Sequence, residues 1–160
     1  MRNRLLILVV FSLVVGSGAT QKKGASSSSQ DPFLGAWTLS HKSRFVAKED
    51  RLASMTRSYQ RDGDKVKVTW HGTMANGKTV SGSYSAKCDG TPEDIGGNKQ
   101  ITCQNLGRRR VDGEIVDPAD PDHRYFTGQV AADGQTMNII WYKDADRKQV
   151  RDVLMFNRAK

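Results

Sequence analysis

The sequence predicts an all-β domain, a single antiparallel up-and-down β-barrel of about eight to nine strands, set behind an N-terminal export signal. Three observations carry this. From residue 31 onward apolar side chains recur with period two, as they do on half-buried strands. Turn dipeptides punctuate the same stretch at hairpin spacing, and nothing between them calls for a crossover helix. A meander of that many strands must close or cover its edges, because open edges pair with other chains. A barrel of about eight strands has an interior that side chains fill or that holds one small ligand. A sandwich is the structural alternative, and hairpin-rich connectivity argues against it.

In chain order, the first element is the export signal, residues 1–19. Arg2 and Arg4 precede an apolar run from Leu5 to Val15, and Ser17-Gly18-Ala19 offers small residues for cleavage. The run is short for a bilayer span, so no membrane span is expected after cleavage. Residues 20–30, rich in Gly, Ala and Ser, read as a flexible leader. Residues 31–160 form the domain, large enough to bury a core without a metal.

Strands are expected at Leu34 to Leu39, Ser54 to Gln60, Lys65 to Trp70, Val80 to Ala86, Gln100 to Leu106, Arg109 to Val116, His123 to Ala131, Thr136 to Tyr142 and Gln149 to Phe156. Turns are expected at Asp62-Gly63, Asn76-Gly77, Asp89-Gly90, Gly96-Gly97-Asn98, Asp133-Gly134 and Asp144-Ala145-Asp146. Val66, Val68 and Trp70 share one face against Lys65, Lys67 and Thr69, and Val80, Gly82, Tyr84 and Ala86 alternate with Thr79, Ser81, Ser83 and Ser85: a hairpin with one wet face. Arg44 to Ala53 is compatible with a helix or with a charged connection over a barrel end. Glu93-Asp94 and the acids from Asp117 to Asp122 read as loop residues beside Pro92, Pro118 and Pro121.

The run from Asp31 to Leu39 (DPFLGAWTL), then Lys42 to Phe45, Thr56 to Tyr59 and Ala132 to Met137, resembles short secreted bacterial lipocalin-like proteins of unassigned function. The wider likeness is to the lipocalins, whose Gly-x-Trp motif matches Gly35-Ala36-Trp37. The resemblance implies a calycin-type barrel with the tryptophan closing one end. It leaves Arg158 as the residue to stand in for the late arginine that packs on that tryptophan. It transfers no ligand.

Loss of Arg2 and Arg4 with the signal lowers the formal net charge from +8 to +6. The charges are scattered. The densest run, Arg108-Arg109-Arg110, has no aromatic residue among it to stack bases, so nucleic acid is not an expected partner. Cys88 and Cys103 are the two cysteines of an exported chain, an even number that points to one disulfide between adjoining strands rather than two core thiols.

Arg57 shares a face with Met55 and Tyr59. If that face points inward, the guanidinium needs a partner: Asp152, on the face of Leu154 and Phe156, or an anionic group of a ligand. The more usual arrangement is a rim arginine with its stem on Tyr59 and its head in water. Trp70, Tyr84 and Trp141 read first as core and then as cavity lining. His41, His71 and His123 lack metal-ligand spacing, no catalytic constellation is present, and no metal or cofactor is expected. The functional expectation is an extracytoplasmic barrel binding a small hydrophobic or amphipathic, partly apolar and anionic molecule through Arg57, Tyr59, Trp70, Tyr84 and Trp141. A filled barrel serving as a structural or interaction module of the cell envelope is the alternative, and a small envelope enzyme the third reading. Oligomeric state is not legible.

Overall fold

The computed structural model describes residues 31–48 and 51–160; the expected signal, residues 1–19, and leader, residues 20–30, lie outside them. Ten strands follow one another: β1 (Gly35–Leu39), β2 (Leu52–Asp62), β3 (Lys65–Met74), β4 (Thr79–Ala86), β5 (Asp89–Gly96), β6 (Lys99–Asn105), β7 (Arg110–Val116), β8 (Tyr125–Val130), β9 (Thr136–Tyr142) and β10 (Val150–Arg158). They form one antiparallel sheet in the order β4-β3-β2-β1-β10-β9-β8-β7-β6-β5. Every strand pairs with its chain neighbour except at one seam, and β1 pairs with β10 to roll the meander up. The described residues contain no helix, so the all-β up-and-down barrel holds, with ten strands and a nearly closed wall.

The additional strand is β5. Asp89-Gly90 is not a turn and Glu93-Asp94 are not loop acids: the chain reverses at Lys87-Cys88, where Cys88 adopts a φ of 53°, and runs through β5 against β6. Sequence pattern hid it because β5 is an edge strand, six of whose eight residues are exposed, so it carries little alternation. An edge also tolerates Pro92, whose missing N–H interrupts no second ladder. The Arg44 to Ala53 stretch forms no helix among its described residues. Arg44 makes an isolated bridge to Val153, and Leu52 and Ala53 already belong to β2.

The seam lies between β4 and β5, consecutive in the chain but not neighbours in the ladder. Side chains do there what backbone hydrogen bonds do elsewhere. The Glu93 carboxylate accepts from the Lys87 N–H at 2.7 Å and pairs with Lys65 Nζ. Cys88 is joined to Cys103 of β6 by a disulfide, beside a 3.1 Å bond from the Asn105 N–H to the Cys88 carbonyl. This bridge ties the start of β5, at the β4–β5 connection, to β6, the strand that β5 pairs with.

Two apolar clusters hold the wall. The larger joins Phe33, Trp37, Met55, Val130, Met137, Ile139, Leu154 and Phe156; the smaller joins Ala86, Ile101, Cys103 and Phe126. At one end Arg158 lies on Trp37, 4.2 Å from the ring centroid to the guanidinium carbon. Its nitrogens donate to the carbonyls of Gly134 (2.7 Å), Leu34 (2.8 Å) and Pro32 (2.8 Å). Two segments that meet at that end, the stretch before β1 and the β8–β9 turn, are thereby fastened to β10. Gly35 is required there twice over: its φ is 114°, and a Cβ would lie 2.9 Å from Arg158 Nη1.

Candidate functional site

Antiparallel register brings Trp37, Arg57, Trp70 and Gly82 into one row across β1 to β4, and Gly35, Tyr59, Val68 and Tyr84 into the next. Residues directly opposite one another in such pairs point to the same side of the sheet. Trp37, with no exposed surface, shows that the side is the interior. Arg57 therefore points inward and is not the rim arginine of the usual arrangement. The Trp70 indole has room because position 82 is glycine: a Cβ there would come within 2.3 Å of the ring.

The interior is hollow. A cavity of about 500 Å³ runs along it, lined mainly by apolar side chains, with Arg57, Tyr59, Trp70, Tyr84, Phe126 and Trp141 among its walls. That volume falls in the range of small-molecule sites. Arg57, Tyr59, Trp70 and Tyr84 are brought together at the β2–β4 wall; Trp141 stands elsewhere, packed against Phe126 with ring centroids 5.4 Å apart and against His123 at the same separation.

Arg57 is the chemical peculiarity of this interior. Its guanidinium carbon lies 5.7 Å from the Tyr59 ring centroid and 5.5 Å from that of Trp70. The surface it keeps faces the cavity. Among the described residues it has no carboxylate partner, and its buried Nε has no hydrogen-bond partner at all. Burial works against its charge as the largest single influence, but the adjacent Tyr59 and Tyr84 hydroxyls outweigh it and hold the guanidinium above its ordinary pKa. The Tyr84 phenol is pushed up to about 12 by burial, with the Arg57 charge pulling the other way. The arrangement is thus a cation beside two phenol side chains, in a mostly apolar cavity.

Asp152 was a candidate partner of Arg57, and the structure sends it elsewhere. It is buried on the expected face of β10, but its carboxylate meets His123 Nε2 at 3.0 Å and the Val46 N–H at 2.7 Å. Pattern alone placed both residues on inward faces without saying which faces meet, since β2 and β10 are separated by β1. His123 has no second ligand near it in sequence to mark it, and in space it reaches the cavity beside Asp120. Phe45 and Phe126, also in the lining, carried no local signal beyond being apolar.

No family model matches the chain, and no curated protein matches it. Among solved structures it is similar to a fatty acid binding protein of Schistosoma mansoni in complex with arachidonic acid, at 18% identity and a TM-score of 0.57, covering 81% of this chain and 97% of that one. The likeness shows the fold, an antiparallel up-and-down β-barrel. A zebrafish ileal bile acid-binding protein complexed with cholic acid is more distant, at 16% identity and a TM-score of 0.45, covering 80% and 99% of the two chains. At 18% identity the likeness speaks for the fold alone, and the site must be argued from the residues of this chain.

Proposed function

We propose that this barrel binds a small amphipathic molecule carrying one negative charge, with the charged group against Arg57 and the apolar body along the cavity. The observation that carries the reading is the guanidinium, enclosed in the barrel with no carboxylate to pair with. An unpaired buried charge is costly, and the cost is offset when an anion arrives. Arginine suits the task because its planar fork can donate two parallel hydrogen bonds to a carboxylate or sulfonate. A tyrosine oxygen that accepts from the guanidinium keeps its own proton to donate, so Tyr59 and Tyr84 would complete the cradle. Trp70, Phe126, Trp141 and their aliphatic neighbours would supply affinity by burying the rest of the molecule at about 25 cal/mol per Å² of apolar area. One buried positive charge matches a monoanion better than a phosphate dianion. The protein of known structure with the 0.57 TM-score was solved with a fatty acid, a molecule of this chemical description.

The reading also places the mature barrel outside the cytoplasm. The apolar run from Leu5 to Val15 supports this, and so does a disulfide of the kind that persists in oxidising compartments. No helix among the described residues is long and apolar enough to cross a membrane.

The test is displacement of a fluorescent anion, anilinonaphthalene sulfonate, by a long-chain carboxylic acid and by its methyl ester. The acid is expected to bind at least tenfold more tightly. Equal affinities would remove the anion from the proposal, and no binding of either would remove the ligand. Native mass spectrometry of protein purified from its own source would then identify what occupies the barrel.

A further inference from the structure

A second polar cluster stands at the cavity end formed by the β1–β2 connection and the β7–β8 loop. Its centre is the Asp152 carboxylate, whose side chain has no exposed surface. One oxygen accepts from the Val46 N–H of the β1–β2 connection at 2.7 Å. The other meets His123 Nε2 of the β7–β8 loop at 3.0 Å and lies 3.5 Å from Arg151 Nε on its own strand. His123 Nδ1 in turn faces both oxygens of Asp120 at 3.0 Å, and Arg151 pairs with Asp122 at 3.3 Å. A single carboxylate, buried on the same face as Leu154 and Phe156, therefore fastens two segments that share no backbone ladder with each other.

What the fastening holds is Phe45. After β1 the chain stays on β10 through backbone bonds, from the Ser40 N–H to the Met155 carbonyl at 2.7 Å and in a reciprocal pair between Arg44 and Val153 at 2.8 Å each way. Phe45 comes next, lies in the cavity lining and packs on the larger apolar cluster. The following residue, Val46, turns its side chain outward, 64% exposed, and contributes its N–H to Asp152. Phe45 is thus pinned between the Arg44 bridge on one side and the Asp152 bond on the other. An apolar residue at position 152 would continue the packing of the inner face; a carboxylate there gives up that packing and gains a hydrogen bond acceptor for the connection and the loop together.

We infer that Asp152 is a positioning residue for ligand exchange: it holds Phe45 as a stopper across this end of the cavity, and releasing it speeds both entry and exit of the ligand. The inference rests on the binding reading above, but it makes a claim about the stopper that can be measured without any ligand. Loss of a contact made directly to the ligand raises the dissociation rate alone; loss of a stopper raises association and dissociation together and moves the equilibrium less.

Two variants test it in the full mature chain. Asp152→Asn weakens the charge-assisted bonds, and Val46→Pro removes the N–H donor, fixing φ at position 46 and restricting Phe45 before it, while leaving Asp152 with His123. Stopped-flow binding of anilinonaphthalene sulfonate should show both rate constants raised about tenfold in each variant, the factor expected for one lost charge-assisted hydrogen bond, with Kd changed less than threefold. Trypsin cleavage after Arg44 and Lys48, read by mass spectrometry on protein whose thermal unfolding stays cooperative, should accelerate in both. Unchanged rates and unchanged cleavage in either folded variant overturn the proposal, and so does a raised dissociation rate with association unaltered. Should the wild-type protein bind no probe, the binding reading fails on its own, and the cleavage pattern still decides whether Asp152 pins Phe45. If Asp152→Asn does not fold, Val46→Pro decides alone.

Discussion

Replacing Arg57 by methionine separates a ligand-binding arginine from a structural one by the sign of two effects. Methionine keeps an unbranched apolar stem of similar reach and removes the charge. Loss of a guanidinium that makes two charge-assisted hydrogen bonds to an anion costs about 3 kcal/mol, or roughly a hundredfold in Kd. The ligand-free protein responds differently. It loses cation–π contacts at 5.7 and 5.5 Å, worth about 0.5–2 kcal/mol each, and is relieved of an enclosed charge without a counterion. Exchanges of buried ions for apolar residues run from neutral to about 4 kcal/mol stabilising. The melting temperature of the ligand-free variant should therefore be unchanged or higher. Differential scanning fluorimetry reads both effects at once. At a ligand concentration of about 100 Kd the wild-type protein gains about 2.7 kcal/mol, a rise of about 10 °C at roughly 4 °C per kcal/mol. With a hundredfold weaker Kd the variant gains about 0.4 kcal/mol at the same concentration, a rise of about 1–2 °C. A ligand-free variant destabilised by about 3 kcal/mol, or one whose ligand-induced shift equals that of the wild type, would refute the reasoning.

Gly82→Ala should drive the Trp70 indole out of place, because its Cβ would meet the ring at 2.3 Å; the expected signs are a changed tryptophan emission spectrum, a loss of about 1–3 kcal/mol in urea unfolding and weaker ligand binding. Replacing Cys88 and Cys103 by alanine should cost about 3 kcal/mol, the chain-entropy value for a closure spanning 15 residues, and the same loss should follow from reductant alone in the wild type. Tyr84 sets a stability limit at high pH. Its folded pKa, about 12, exceeds the ordinary 10.0, so between those values the unfolded chain releases a proton that the folded protein keeps. Stability should fall by up to about 3 kcal/mol across that window and be unaffected by this group below it. Tyr84→Phe should flatten the decline, and an unaltered slope would show that Tyr84 is not the group responsible.

Period-two alternation made most of the barrel legible, because a strand that separates a core from water writes its two faces into consecutive residues. Val66, Val68 and Trp70 against Lys65, Lys67 and Thr69 are an example. It failed for β5, where six of eight residues are exposed at the edge of the sheet and a seam replaces the second neighbour. The same logic marked Arg57 as sharing a face with Met55 and Tyr59, and Asp152 as lying on the face of Leu154 and Phe156. Face membership is local, a matter of parity along one strand. Whether Arg57 stood at a rim or in an interior, and whether Asp152 met it, depended on how the strands were ordered and staggered.

The chain by itself determined nine of its ten strands, most of its turns and the two cysteines that could pair, since alternation, turn chemistry and sulfur content are properties of neighbouring residues. Only the closed tertiary structure decided that the interior is hollow, that Arg57 faces it without a counterion, and that Asp152 ties Val46 to His123. Those facts belong to side chains far apart in sequence, and they come into being when β1 meets β10 and the curvature of the wall sets how much space remains inside.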